Sequence, residues 1–504
     1  MHENHTASSV TLTRRSLIGG GLSGATLLAL AACAAPAPRL LSPSSEPVLA
    51  AEAARATTGK TVSMSLRAQS TLIDLGGVPV PTWSYGSVPA PVLRAALGDT
   101  IELQLQNDLK AETTIHWHGL ALRNDMDGVP GVTQDAIAVG SAFTYRFTAP
   151  HPGTYWFHPH VGTQLDTGLY GALIIDDPRE PLAYDEEWVV ILDDWLDGIT
   201  ATPDQVLAEL SSGMGSMGEM GGLMRMGNML MGAESELLGG DAGDVYYPEY
   251  LINGRPTADP ETYSSAPGRR VRIRMINAGS DTAFRVALGG HRMTVTHTDG
   301  FPVQPVEGDA VLLGMGERYD VIVTLGDGAF PFVAEAEGKG ARGFAVVRTA
   351  VGNAPAPTVD VAELGGKVVT ADQLSAAEAV QLPQAQPDRE ITLRLTGGMD
   401  NYDWAFDGRP FRFDRPLDDA RTIRAGERVR VNFENTTDMW HPVHLHGHTY
   451  QHSGGGPRKD TSIVLPKQTL SVEFDADNPG RWLTHCHNIY HAEAGMTGVV
   501  AYEE

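Results

Sequence analysis

A chain of 504 residues exceeds what a single hydrophobic core organises, about 250–300 residues, so several domains are expected. Asp and Glu number 62 against 37 Lys and Arg, and the formal net charge of -25 argues against nucleic acid and anionic lipid surfaces as partners while modestly favouring cationic substrates. The 56 glycines and 32 prolines suit many short strands and turns, and only one of the two cysteines, Cys486, lies beyond the N-terminal leader, which excludes an intrachain disulfide in the mature chain.

The leader comes first. Thr13-Arg14-Arg15-Ser16-Leu17-Ile18 precedes a Gly- and Ala-rich apolar run that ends Leu30-Ala31-Ala32-Cys33. The twin arginines resemble a Tat export signal and the last four residues a lipoprotein processing box, in which Cys33 becomes the lipidated first residue. Residues 1–35 are therefore expected to be a Tat-like signal with lipobox, and 36–60 a flexible tether. The mature protein would be periplasmic or at the cell surface, anchored through Cys33; the other reading is a plain cleaved signal that removes Cys33. The only apolar run is interrupted by glycines, so no transmembrane role is expected.

Beyond the tether the chain repeats itself. Gly98 to Asn107 (GDTIELQLQN), Gly268 to Asn277 (GRRVRIRMIN) and Gly426 to Asn435 (GERVRVNFEN) each run from a glycine through an alternating strand to an asparagine. Alternation bounded by turn residues marks half-buried strands, and the spacing of the copies implies three similar β-sandwich domains. We expect an all-β chain with domain one at 61–180, domain two at 181–350 and domain three at 389–504. The Ala-, Pro- and Gln-rich stretch 351–388 reads as an interdomain connector outside any core.

Ten of the 17 histidines fall in four clusters: His116-Trp117-His118, His158-Pro159-His160, His441-Pro442-Val443-His444-Leu445-His446, and His485-Cys486-His487 followed by His491 and Met496. A His-x-His pair on a strand points both imidazoles to one face, so four pairs can build a multinuclear centre. A lone thiolate beside histidines, with a thioether five residues after one of them, selects copper among the metals that imidazole suits. Cys486 sits between His485 and His487, so a thiolate at one copper is covalently joined to ligands of the others. A second repeat overlays Pro152 to His160 on Pro479 to His487 and puts Pro159, Gln164 and Leu169 at the places of Cys486, His491 and Met496. Domain one should therefore lack a blue copper, and domain two, with no histidine cluster, should hold none of the coppers and act as a spacer.

The four clusters resemble, in order and spacing, those of the multicopper oxidase family, from about Thr58 to the C-terminus. The resemblance implies Greek-key cupredoxin domains and four copper ions. Type 2 copper would be held by His116 and His444, one type 3 copper by His118, His158 and His487, and the other by His160, His446 and His485. Type 1 copper would take His441, Cys486 and His491 with Met496 axial. His151, His291, His297, His448 and His452 match no ligand position and read as structural or supporting. Asp127 aligns with an acidic residue that the family places near type 2 copper as a proton source, although Asp127-Gly128 is also an ordinary turn pair. A second carboxylate that copper-efflux oxidases carry just after the last type 1 histidine is here Ala492, with Glu493 next.

The activity implied is oxidation of a one-electron donor coupled to reduction of O2 to water. Cu(I) is the expected donor, in copper detoxification, with Fe(II) and phenols as further candidates. Segment 213–232 holds seven of the 16 methionines, Met214, Met217, Met220, Met224, Met226, Met229 and Met231, and thioethers prefer Cu(I). A Met-lined helix covering apolar surface competes with this reading, against which the dense glycine counts. Asp438 and Met439 lie where copper oxidases dock Cu(I), with Asp438 one position off the family pattern. A laccase would want an open apolar cleft beside His441 or His491. A copper-sequestering protein is the non-enzymatic alternative.

Overall fold

The computed structural model of the chain describes residues 39–212 and 222–504. Strands dominate, and they form three two-sheet sandwiches in chain order, in agreement with the predicted all-β class. In the first, the strands Pro79–Ser84, Thr61–Asp74, Thr100–Asn107 and Ala142–Thr148 face the strands Leu93–Ala96, Gly171–Asp176, Gly153–His158 and His116–His118. The second has sheets of seven and six strands, and the third sheets of six and five.

The three sequence repeats occupy one equivalent position. Thr100–Asn107, Arg270–Asn277 and Arg428–Asn435 each pair parallel with the strand that opens their sandwich and antiparallel with a later one. Their terminal asparagines explain why the repeat keeps that residue. Asn277 Oδ1 accepts from Gly279 N at 2.9 Å while its Nδ2 donates to Thr282 O and Leu313 O at 2.9 and 3.1 Å. Asn107 binds Leu109 N, Ala111 O and Ile137 O in the same pattern, and Asn435 binds Thr437 N, Met439 O and Val464 O. One amide side chain thus satisfies backbone groups that the departing strand leaves buried.

Two expectations are corrected. From Leu40 on, the stretch taken for a flexible tether is docked: Leu41 and Val48 are buried, and Glu46–Ala53 is a helix. Leu41 N donates to Tyr502 O at 2.8 Å, Thr148 N donates to Glu52 Oε1 at 2.7 Å, and Arg55 Nη2 donates to Asn478 Oδ1 at 3.1 Å. The segment therefore straps domain three to domain one. The connector is not wholly outside a core either. Val368–Val369 pairs parallel with Ala310–Leu313, and Val361 and Leu364 pack with Val333 and Phe344 of domain two. Composition hid both, because a few apolar residues set among Ala, Pro and Gln were enough to anchor the segments.

The strands bring the histidine clusters together. His116 pairs with His158 across one sheet of domain one, and His444 pairs with His485 across one sheet of domain three. Among the described residues, no helix is long and apolar enough to cross a membrane.

Asn277→Ala should lower unfolding stability by about 3 kcal/mol in chemical denaturation, since three buried backbone groups lose their partner, without changing metal content. Acid should weaken the fold through non-ligand histidines as well. Burial holds His297 and His448 at about 4, so between the ordinary imidazole value and that point the unfolded chain binds protons that the native chain refuses. Stability then falls as pH falls, by up to about 1.4 kcal/mol per pH unit for each histidine. The acid limb of a denaturation series should be shallower in His448→Gln.

Candidate metal centre

Eight imidazoles from domains one and three meet in a buried cluster, and only His160 is partly exposed. His116 has ligand-type atoms within 4.8 Å of those of His444 and His446; the same holds for His116, His118 and His158, and for His160, His446 and His485. These sets contain seven of the eight predicted ligands of the three-metal centre. The eighth, His487, has its ring centroid 4.9 Å from that of His118 and 5.4 Å from that of His158.

The rings are oriented from outside. His116 Nδ1 donates to Asp127 O, His158 Nδ1 to Pro159 O, His444 Nδ1 to Asp460 O and His485 Nδ1 to Cys486 O, all at 2.8–2.9 Å. His446 Nδ1 donates to Asp127 Oδ2 at 2.9 Å, and His118 Nε2 donates to Asp460 Oδ1 at 3.1 Å. Each of these bonds fixes the tautomer and turns a bare nitrogen inward. His116 Nε2, His118 Nδ1, His158 Nε2, His444 Nε2 and both nitrogens of His487 are buried without a protein partner. His446 Nε2 and His485 Nε2 lie 3.1 Å apart, and neither carries a proton to share. Opposed lone pairs at that distance are stable only around a cation, so the donor set fits metal ions.

Burial holds the imidazoles of His118, His158, His160, His446 and His487 well below their ordinary value, and that of His485 at about 3. They are therefore neutral, ligand-ready donors at physiological pH.

The second cluster is smaller. Cys486 Sγ lies 3.7 Å from both His441 Nδ1 and His491 Nδ1, which are 3.2 Å from each other. The outer nitrogens are again engaged, His441 Nε2 by Thr437 Oγ1 at 2.9 Å and His491 Nε2 by Asp244 Oδ2 at 3.3 Å. Met496 is fully buried, and its carbonyl accepts from Cys486 N at 3.0 Å. Burial pushes the Cys486 thiol up, so a thiolate here needs a cation beside it. Two imidazoles, one sulfur and a thioether suit copper.

Glycines admit the supporting residues. A Cβ on Gly128, at φ +82°, would lie 1.9 Å from Ile115 O, and one on Gly119, at φ +87°, would lie 2.6 Å from Asp460 Oδ2. The Asp127 loop and the Asp460 carboxylate can approach the histidine strand only because these side chains are missing.

The predicted pair Asp438 and Met439 does not converge. The Asp438 side chain is 95% exposed and binds Lys467 Nζ at 2.8 Å, whereas Met439 is buried in the core. The chain bends at Asp438, which leaves its carboxylate in solvent while Met439 is drawn into the core. The carboxylate that does reach the smaller cluster is Asp244, which the sequence reading missed along with Asp460 and Asp281. Their only local signal was burial-compatible placement beside short strands, and a lone aspartate carries no spacing to read. Glu493 lies in the helix Ile489–Ala494 that bears His491; burial, with Asp204 nearby, raises its carboxyl to about 7.

Met214, Met217 and Met220 lie outside the described residues. Met224–Met226 and Met229–Met231 form a two-stranded hairpin, not a helix, with Met224 opposite Met231 and Met226 opposite Met229. Directly opposed residues share a face of a hairpin, so the four thioethers lie on one side. The hairpin is tied to the smaller cluster through the segment that follows it. Leu230 N donates to Asp244 O at 2.7 Å, and Asp244 meets His491.

Three family profiles described as multicopper oxidase match residues 68–180, 186–351 and 384–504. A Mycobacterium tuberculosis protein named multicopper oxidase MmcO is 47% identical, over 97% of this chain and 96% of its own length. A Pseudomonas syringae pv. tomato protein named copper resistance protein A homolog is 31% identical, over 83% and 88%. Fet3p, a multicopper oxidase that functions in iron import, superposes with a TM-score of 0.72 at 22% identity over 88% of this chain and 90% of its own, a likeness of fold. On these matches and on the two histidine clusters, the chain belongs to the multicopper oxidase family and is a copper-dependent oxidase.

Proposed function

We propose that this oxidase uses four copper ions to oxidise Cu(I) to Cu(II) with O2, four Cu(I) and four protons giving two waters, as a step in copper detoxification. Copper when bound would supply one-electron redox chemistry and the site at which O2 is reduced. We assign type 2 copper to His116 and His444, the type 3 pair to His118, His158 and His487 and to His160, His446 and His485, and type 1 copper to His441, Cys486, His491 and Met496. The ring tautomers support each assignment, because the inward nitrogen of every hydrogen-bonded ring carries the lone pair. The continuous run His485-Cys486-His487 joins the two sites by covalent bonds, a short path for electrons.

One observation carries the choice of donor: the hairpin that bears Met224, Met226, Met229 and Met231 is hydrogen-bonded through its backbone to the segment whose Asp244 contacts His491. Soft sulfur ligands favour Cu(I), and Asp244 carries a carboxylate against the outer nitrogen of a type 1 ligand. His441 and His491 are both fully buried. A phenol-oxidising laccase would need an open cleft beside one of them, so a donor that delivers its electron through thioethers and a carboxylate fits better. The relative named for copper resistance agrees with this reading.

Asp127 carries the proton-handling role in this proposal. It orients His116 through its carbonyl and His446 through its carboxylate, and so sets a proton acceptor at the edge of the larger cluster. For the leader, which lies outside the described residues, we propose Tat-type export with lipidation at Cys33.

Met224→Leu with Met226→Leu should raise KM for Cu(I) about tenfold and leave turnover of a dimethoxyphenol unchanged, because two soft ligands are lost while the copper sites are untouched. Equal loss with both donors would reject the hairpin as the Cu(I) site. Asp127→Asn keeps the bond from His446 Nδ1 but gives up a proton acceptor. O2 reduction should slow by about 10²-fold with full copper content, measured as the reoxidation rate of reduced enzyme against metal analysis.

A further inference from the structure

Domain two supplies none of the proposed copper ligands, yet it sends a buried ion pair to the type 1 site. Lys339 Nζ lies 2.6 Å from Asp281 Oδ2, and both side chains are fully buried. The same oxygen accepts from Asp244 N and Val245 N, each at 3.0 Å. The other oxygen, Oδ1, accepts from Asn488 Nδ2 at 2.6 Å. Asn488 belongs to domain three and caps the helix that bears His491: its Oδ1 accepts from Tyr490 N at 3.1 Å and from His491 N at 3.3 Å.

The two arms of Asp281 therefore reach His491 from opposite ends. One runs through Asn488 to the backbone N–H of His491. The other runs through the backbone of Asp244, whose carboxylate stands 3.3 Å from His491 Nε2. The geometry points to Asp281 and Lys339 as positioning residues of the type 1 site, which hold His491 in place and set the potential at which that site takes up an electron. This inference rests on the type 1 assignment proposed above.

Asp281 and Lys339 do more than staple the domains. A staple needs only one bond across the interface, and Ile489 N to Ser280 O at 3.2 Å already supplies one beside it. The Asp281 carboxylate is also only one side chain, Asn488, from the backbone of His491, and one backbone hydrogen bond from Asp244, whose carboxylate meets the ring. A buried carboxylate so near stabilises the more positive, oxidised form of the site, and Lys339 offsets it. Removing the anion makes the local charge more positive and removing the cation makes it more negative, so the two removals act with opposite sign.

The test is redox titration of copper-loaded, full-length protein, following the copper–thiolate charge-transfer band, with melting temperature and copper content measured alongside. Lys339→Met should lower the type 1 potential and Asp281→Asn should raise it. Lys339→Arg, which keeps the cation, should return it toward the starting value. Asn488→Ser keeps a helix cap but cannot reach Asp281; it should alter the band and slow anaerobic reduction several-fold, and it serves where Asp281→Asn does not fold. If these variants melt earlier while band and potential stay unchanged, Asp281 and Lys339 are a staple only and the inference is overturned. If the unsubstituted protein itself lacks the band, it is the type 1 assignment that has failed.

Discussion

The Arg318–Asp460 pair holds the larger cluster together, because it draws on all three domains at once. Arg318 comes from domain two and grips the carboxylate of Asp460, in domain three, with Nη1 and Nη2 at 2.7 and 2.6 Å. Asp460 in turn receives His118 of domain one on its carboxylate and His444 on its carbonyl. Both side chains are completely buried, where an uncompensated charge would cost several kcal/mol. Two further guanidinium N–H groups donate to Thr154 O and Gly316 O, each at 3.1 Å. Burial alone would raise the Asp460 carboxyl, but Arg318 holds it well below the ordinary range, so it stays a charged acceptor for the ring it orients.

Two further buried polar knots cross the domain boundaries. Asp166 of domain one accepts from Tyr247 of domain two at 3.2 Å and from Tyr490 of domain three. Lys459 of domain three lies buried between Asp299 and Glu317 of domain two, at 3.2 and 3.0 Å. Apolar packing between domains is tolerant of small slips, whereas a buried charge network has one satisfied arrangement. An oxidase whose proposed ligands come from separate domains needs that single arrangement, since a displaced imidazole would be a lost ligand. The middle domain is consequently more than a spacer: it contributes no proposed ligand but supplies the charged groups that register the other two.

Much of this was legible beforehand. The spacing of the ten histidines and Cys486 already grouped them into the two clusters that the fold assembles, because a strand's period of two and short loops keep the members of each cluster near one another. The three repeats carried the domain count, and Asn107, Asn277 and Asn435 turn out to mark the same corner in each sandwich. The docked segment from Leu40 and the partly buried connector were not legible, because both depend on surfaces made elsewhere. Asp438 and Met439 do not converge, because the chain bends there and Asp438 meets Lys467 in solvent while Met439 packs into the core.

The sequence alone determined which residues gather at ligand spacing and how many sandwich domains carry them, because both are written in short-range spacing that strand geometry preserves. Only the tertiary structure decided which carboxylates stand behind those ligands. Asp244, Asp281 and Asp460 are separated from the rings they hold by long stretches of chain or by a domain boundary. A hydrogen bond across such a distance is set by how three cores pack, and no local pattern records it.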